Sequence, residues 1–239
     1  MCEKCGCSDT VDHGHDHGHQ HGHDVAAALS HNDRLAERNR GYVLAKRVVV
    51  INLLSFPRSN AHALVQRTCE EYGKRRRLAV VTGSELEAMG ALHAHHHSHG
   101  HSHEGIPDEL VAMDAHAVGH VLSRLDLDHL DLVLIENSGS AACQAVYDLG
   151  ETARVAVFSV REGELKPLKF PLLFSNVRAV VINEMNQAGV VGFDVKKARA
   201  SLREVSPRAI TLELAPETGL EMDAWYAFLD ELVKLNGSK

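Results

Sequence analysis

The residues best suited to chemistry in this chain are thiols and imidazoles at short spacing. Three of the five cysteines, Cys2, Cys5 and Cys7, fall within the first seven residues. Thiolates so spaced can wrap one soft or borderline cation, the alternative being an incidental tail. Behind them runs an alternation of His13, His15, His17, His19, His21 and His23, and a second tract holds His93, His95, His96, His97, His99, His101 and His103. Neutral imidazole suits nickel, copper and zinc, and alternating histidines offer many overlapping sets of two or three ligands. Several weak sites that buffer or store metal are expected, against the plainer reading of a solubilising low-complexity tract. His116 and His120 stand four apart on one expected helix face, where they can chelate or merely pack. Cys69 reads as mid-helix core, and Cys143 as either a small buried hydrophobe or a ligand.

The elements that must position these groups follow from periodicity. Residues 1–24 hold too little apolar content to fold alone and are expected to be a disordered metal-binding tail. Residues 25–239 are expected to form one α/β domain, with 93–103 as an exposed loop insertion. Short apolar runs at 48–54, 78–82, 132–135, 155–160, 179–183 and 209–214 predict strands. Amphipathic stretches at 25–47, 62–75, 107–124, 195–205 and 222–235 predict helices between them. That alternation specifies a mostly parallel sheet with helices on both faces, whose ligands bind at the carboxyl ends of the strands. The turns at 55–62, 83–84, 136–139 and 183–186 all fall at that edge. The basic run from Lys74 to Arg77 reads as a solvated turn.

The bulk numbers exclude some classes. An apolar share of 44% in 239 residues supports a sizeable core, with aromatics at only 5%. A net charge of −7 argues against nucleic acid or an anionic membrane as partner. No apolar run approaches the ~18 residues of a membrane span, no apolar signal core is present, and a cytoplasmic location is expected. An odd cysteine number with three at one end does not suit a secreted disulfide framework.

The run Val48 to Leu54, a turn, and a helix near Ala61 have the layout of a phosphate-binding loop. Where such a loop needs Gly, four residues, then Gly-Lys-Ser/Thr, this chain has Ser55, Asn60, Ala61 and His62. A collinear set of motifs resembles the HypB family, the nickel-incorporation GTPases of hydrogenase maturation, in the P-loop GTPase superfamily. The motifs are Cys2-x-x-Cys5-Gly-Cys7, Asn39-Arg40, Val50-Ile-Asn-Leu53, Met113-Asp-Ala-His116 and Ile135-Glu-Asn-x-Gly139. They continue with Tyr147-Asp-Leu-Gly-Glu151, Glu162-Gly-Glu-x-Lys-Pro-Leu-Lys-Phe-Pro171, Val181-Ile-Asn183, Phe193-Asp-Val195 and Thr218-Gly-x-x-Met-Asp-Ala-Trp225.

The resemblance implies a P-loop NTPase-like fold, a tight nickel site at the three N-terminal cysteines, zinc as a possible second metal, and GTP with Mg²⁺. It also implies a homodimer, or a heteromer with another maturation factor, serving a hydrogenase large subunit indirectly. The departures fall on the nucleotide positions. The family's Ser-Pro-Gly-Ser-Gly-Lys-Thr-Thr is here Phe56-Pro-Arg-Ser-Asn-Ala-His-Ala63, its Gly-Asp is Gly83-Ser84, and its Asn-Lys-x-Asp is Asn183-Glu-Met-Asn186. Ser59, Asn60, Glu136 and Asn183 are then the degenerate positions where a nucleotide would be met. A second metal site of the family resembles a Cys-His pair plus a distant cysteine; Val111 and Ala112 stand at the pair, and Cys143 keeps the third place. Three readings follow: a nickel-binding maturation factor with little or no GTPase activity, a working switch with unusual loop residues and charge from Lys166 or Lys169, or a non-catalytic partner of an active paralogue.

Overall fold

The computed structural model describes residues 21–83, 113–137 and 141–237, with side chains omitted for 21–28 and 141–143. Six strands form one sheet: β1 (Val49–Ser55), β2 (Leu78–Thr82), β3 (Leu132–Asn137), β4 (Ala153–Ser159), β5 (Ala179–Asn183) and β6 (Ile210–Glu213). Their order is β2-β3-β1-β4-β5-β6 and every pairing is parallel. Six longer helices accompany them: α1 (His21–Ala45), α2 (Ala61–Glu71), α3 (Ala115–Leu122), α4 (Ala141–Val146), α5 (Val195–Val205) and α6 (Met222–Leu235).

The alternation of side chains along each strand explains the layering. Val49, Ile51 and Leu53 pack with Leu132, Leu134, Val155, Val157 and Val181 beneath α2 and α6, around the fully buried Trp225. The residues between them face the other way. Val50, Val133 and Ile135 pack against Val43 of α1 and Val118 of α3. Ala156, Phe158, Val180 and Ile182 pack against Phe174 and against Ala198 and Leu202 of α5. All seven residues of β1 are buried, as a central parallel strand covered on both faces requires.

Most expected elements fall within a few residues of their observed bounds, and four differ for physical reasons. The first helix begins at His21, so His21 and His23 stand on its first turns instead of in a tail ending at residue 24. The helix expected from Pro107 starts, among the described residues, at Ala115, because Asp114 is extended and its carboxylate accepts the Ala117 N–H at 2.8 Å. The helix after the loop stops being α-helical at Glu71 and continues as a 3₁₀ turn over Tyr72–Lys74. The Lys74–Arg77 run is not a merely solvated turn. Arg75 lies over the Tyr72 and Tyr226 rings, Arg76 reaches Asp230 at 3.3 Å, and Arg77 pairs with Asp131 at 2.9 Å. The tail through residue 20 and the tract at 93–103 lie outside the described residues.

Helix α1 is stitched to the start of α3 and to the segment before β4 by side chains on one stripe. Asn32 Nδ2 donates to the Asp148 carbonyl at 2.8 Å, while its Oδ1 accepts the Ala115 N–H at 2.9 Å. Asn39 Nδ2 donates to the carbonyls of Ala115 and Leu149, at 2.7 and 3.0 Å. The close approach depends on Gly150, whose φ is +83° and whose added Cβ would lie 2.3 Å from the Ala36 carbonyl oxygen. A Gly150→Ala substitution is therefore expected to cost about 2 kcal/mol or more, through left-handed strain plus displacement of α1, read from urea unfolding.

Asp131 gives a pH expectation. The Arg77 side-chain hydrogen bond holds its carboxyl below the usual value against an opposing effect of burial, and the Arg77 N–H assists. A depressed folded pKa means stabilisation that is complete above the unfolded value and lost as pH falls through the folded one. Asp131→Asn should therefore lose stability less steeply than the parent below about pH 4 in acid titrations of unfolding. Equal slopes would show that the pair contributes nothing.

Candidate functional site

The turn after β1 is built from Phe56 to Asn60 and hands the chain to α2. Asn60 is left-handed, at φ 53° and ψ 35°. Asparagine tolerates this region better than most side-chain-bearing residues, so the turn takes a left-handed backbone without a glycine. Ser59 N–H donates to the Phe56 carbonyl at 2.9 Å, closing the turn, and Ser59 is fully buried with no hydrogen-bond partner for its Oγ among the described residues.

Asn183, at the end of β5, ties this turn down. Its Nδ2 donates to the carbonyls of Ser59 at 2.8 Å and Asn60 at 2.9 Å, and its Oδ1 accepts the Glu184 N–H. At the start of the turn, Gln144 of α4 accepts from the Ser55 N–H at 2.8 Å and donates to the Ser55 carbonyl at 2.9 Å. The expected positions Ser59, Asn60 and Asn183 thus meet at one place, and Glu136 joins them through His62: Nδ1 lies 3.2 Å from Glu136 Oε2.

The charges around this turn are those of a site closed on itself. Ala61, at the place of the phosphate-binding lysine, is a buried methyl. Asn60 Nδ2 donates to Glu217 at 3.0 Å instead of capping α2. Glu184, left-handed at φ 59°, engages the Ser159 hydroxyl and pairs with Arg161 at 3.2 Å. The Lys166 amine lies 3.0 Å from Glu162 and 3.6 Å above the Phe56 ring, so its charge is already engaged. A bound GTP·Mg²⁺ places several negative charges on a loop that here presents a methyl, a histidine and carboxylates.

Gln144, Glu217, Glu184 and Arg161 were not legible in the sequence. Each acts through a partner distant along the chain, and no local spacing signals that.

The metal candidates fall apart by position. Cys2, Cys5, Cys7, the histidines from His13 to His19 and the tract from His93 to His103 lie outside the described residues, as do Val111 and Ala112. His21 and His23 are on α1, and Cys143 is on α4, with their side chains undescribed. His116 and His120 do meet, Nε2 to Nε2 at 3.2 Å. Among the described residues no three His, Cys, Asp or Glu side chains converge as a metal set. Burial pushes the Cys69 thiol up, away from the thiolate, in keeping with a core role. No helix among the described residues is long and apolar enough to cross a membrane.

The Asn183 clamp yields a sharp expectation. Asn183→Asp keeps the side chain's shape but turns a donor into an acceptor facing two carbonyls. It should cost at least as much as Asn183→Ala, itself worth about 1–3 kcal/mol, in denaturant unfolding. A smaller loss for Asp than for Ala would refute the clamp.

No family model matches the chain. A curated relative, the hydrogenase maturation factor HypB of Azotobacter vinelandii, is 36% identical over 208 residues, which are 84% of this chain and 66% of that protein. The chain thus spans about two thirds of that relative's length. The crystal structure of HypB from Archaeoglobus fulgidus superposes with a TM-score of 0.71 at 32% identity, covering 85% of this chain and 99% of that one. HypB from Helicobacter pylori, solved in complex with nickel, has the same fold at TM-score 0.71 and 22% identity, over 86% of this chain and 96% of that one. The sheet order, the turn after β1 and these likenesses agree, and the chain belongs to the HypB family of hydrogenase maturation factors.

Proposed function

We propose that this chain is a nickel-binding factor of hydrogenase maturation that binds, stores or delivers the metal, with GTP hydrolysis lost or strongly impaired. The observation that carries the second half is the closed turn. Ala61 brings no charge, and His62 at the Mg²⁺-holding position is paired with Glu136. Each charge-assisted hydrogen bond is worth about 1.5–3 kcal/mol, so losing those of the lysine and the guanine-reading carboxylate removes tenfold or more apiece. The metal half is supported by the Cys2, Cys5 and Cys7 spacing, the thirteen histidines of the two tracts, and a family relative solved with nickel. Because ligating imidazoles must be deprotonated, metal uptake by the tracts is expected to weaken as pH falls toward ~6.

A nucleotide switch is the second reading. It is favoured by the left-handed Asn60 and the start of α2, which leave backbone N–H groups at the turn, and by the exposed Arg58. Zinc in place of nickel, and a homodimer or a heteromer with another maturation factor, are the further assignments in keeping with the family.

The test is a titration of fluorescent GTP and GDP with Mg²⁺, with and without one equivalent of Ni²⁺, beside calorimetry of Ni²⁺ alone. The expected result is no saturable nucleotide binding up to ~1 mM, and Ni²⁺ binding tighter than ~1 mM that weakens when Cys2, Cys5 and Cys7 become serine. Micromolar GTP binding would overturn the closed-turn reading, and absent Ni²⁺ binding would overturn the metal reading.

A further inference from the structure

A groove of about 670 Å³ opens at the amino end of β2, the edge of the sheet opposite the turn after β1. Its floor is apolar. Cys69 of α2 and Leu78 and Val80 of β2 are half-buried there, packed against the core beneath α2 and α6. Its rim is the run Lys74 to Arg77, four consecutive cations in a chain of net charge −7.

The guanidinium groups on this rim are held in place. Tyr72 and Tyr226 stack at 5.7 Å, and Arg75 lies over both rings at 5.1 and 5.2 Å. Both phenols are anchored, Tyr72 donating to Asp230 at 3.0 Å and Tyr226 to Glu71 at 2.8 Å. Asp131 takes Arg77 in a two-pronged bond, Nε at 3.2 Å and Nη2 at 2.9 Å. Asp230 takes Nε and Nη2 of Arg76 at 3.4 and 3.3 Å. Each pairing occupies one edge of the fork and leaves the Nη1 donors over. Lys74 and Arg75 are exposed, and among the described residues no carboxylate pairs with either.

We propose that this groove docks an acidic segment of another protein, its carboxylates on the Lys74–Arg77 rim and an aliphatic side chain on the Leu78 and Val80 floor. Guanidiniums already fixed by rings and carboxylates lose little freedom when they grip a further carboxylate. An apolar floor under a cationic rim suits a peptide, which supplies both charge and aliphatic groups. A nucleic acid supplies the charge, but its bases stack on open aromatic faces, and Tyr72 and Tyr226 are buried. The site uses neither the cysteine motif nor the turn after β1, so it stands or falls apart from the metal and nucleotide readings.

The test is fluorescence anisotropy of a fluorescein-labelled peptide of glutamates around a single leucine, titrated with the full chain near pH ~8, where imidazoles are neutral. A peptide of glutamate alone and a single-stranded DNA of equal charge are the comparisons. The expected result is saturable binding that weakens with added salt and is about tenfold tighter than for glutamate alone. Lys74→Glu and Arg75→Glu should each weaken it about tenfold, the loss of one charge-assisted contact. Lys74 has no partner among the described residues, so far-UV circular dichroism of Lys74→Glu should match the parent. The unaltered chain gives a second readout, because a seated peptide should slow N-ethylmaleimide labelling of Cys69, followed by mass spectrometry. No binding up to ~1 mM, binding indifferent to both substitutions, unchanged Cys69 labelling, or equal binding of the glutamate peptide would overturn the proposal. Tighter binding of the DNA would overturn it in favour of nucleic acid. A sedimentation mass that halves on Lys74→Glu would do so in favour of a second copy of the chain.

Discussion

A parallel strand hydrogen-bonded on both sides and covered on both faces has very little freedom in where it delivers the chain, and β1 is such a strand. It lies between β3 and β4, with all seven residues buried. Its exit at Ser55 is gripped from both backbone directions by the Gln144 amide, and the next turn is held by Asn183. The shape of the turn is thus set by strand position and by two side-chain amides. The side chains that would face a phosphate take no part in that. This explains how a loop can keep a left-handed Asn60 and a helix start while its lysine and hydroxyl positions become Ala61 and His62.

The carboxylates at the same edge are engaged within the chain. Glu136, Glu184 and Glu217 each find a partner within the chain, in His62, in Arg161 with Ser159, and in Asn60. The Lys166 ammonium is shared between Glu162 and the Phe56 and Phe170 rings. Charge has been spent on internal pairing at the place where the fold presents ligands.

On the opposite side of the molecule from α2 and α6, α1 and α3 form a unit around Asn32, Asn39 and two glycines. Asn39 bonds the carbonyl that opens α3 and the carbonyl of Leu149 just before left-handed Gly150, so one side chain fixes two elements. The rigidity of α3, and with it the 3.2 Å spacing of the histidine pair, comes from this unit.

The sequence by itself determined the α/β layering, the six strands, and helices α5 and α6 to the residue, because burial period along an element is a local property of its own side chains. The vacancy of the lysine position and the loss of the guanine-reading carboxylate were equally legible, since they are identities at fixed spacing. Tertiary structure alone decided what those positions do instead. Asn183 lies 124 residues from Ser59, Gln144 lies 89 from Ser55, and Glu217 lies 157 from Asn60. The run Lys74–Arg77 looked solvated because its partners Asp131, Tyr226 and Asp230 come from β3's approach and from α6. A pairing between distant residues has no local period to read. It exists only once the parallel sheet has brought distant strand ends and the helix packed on them together.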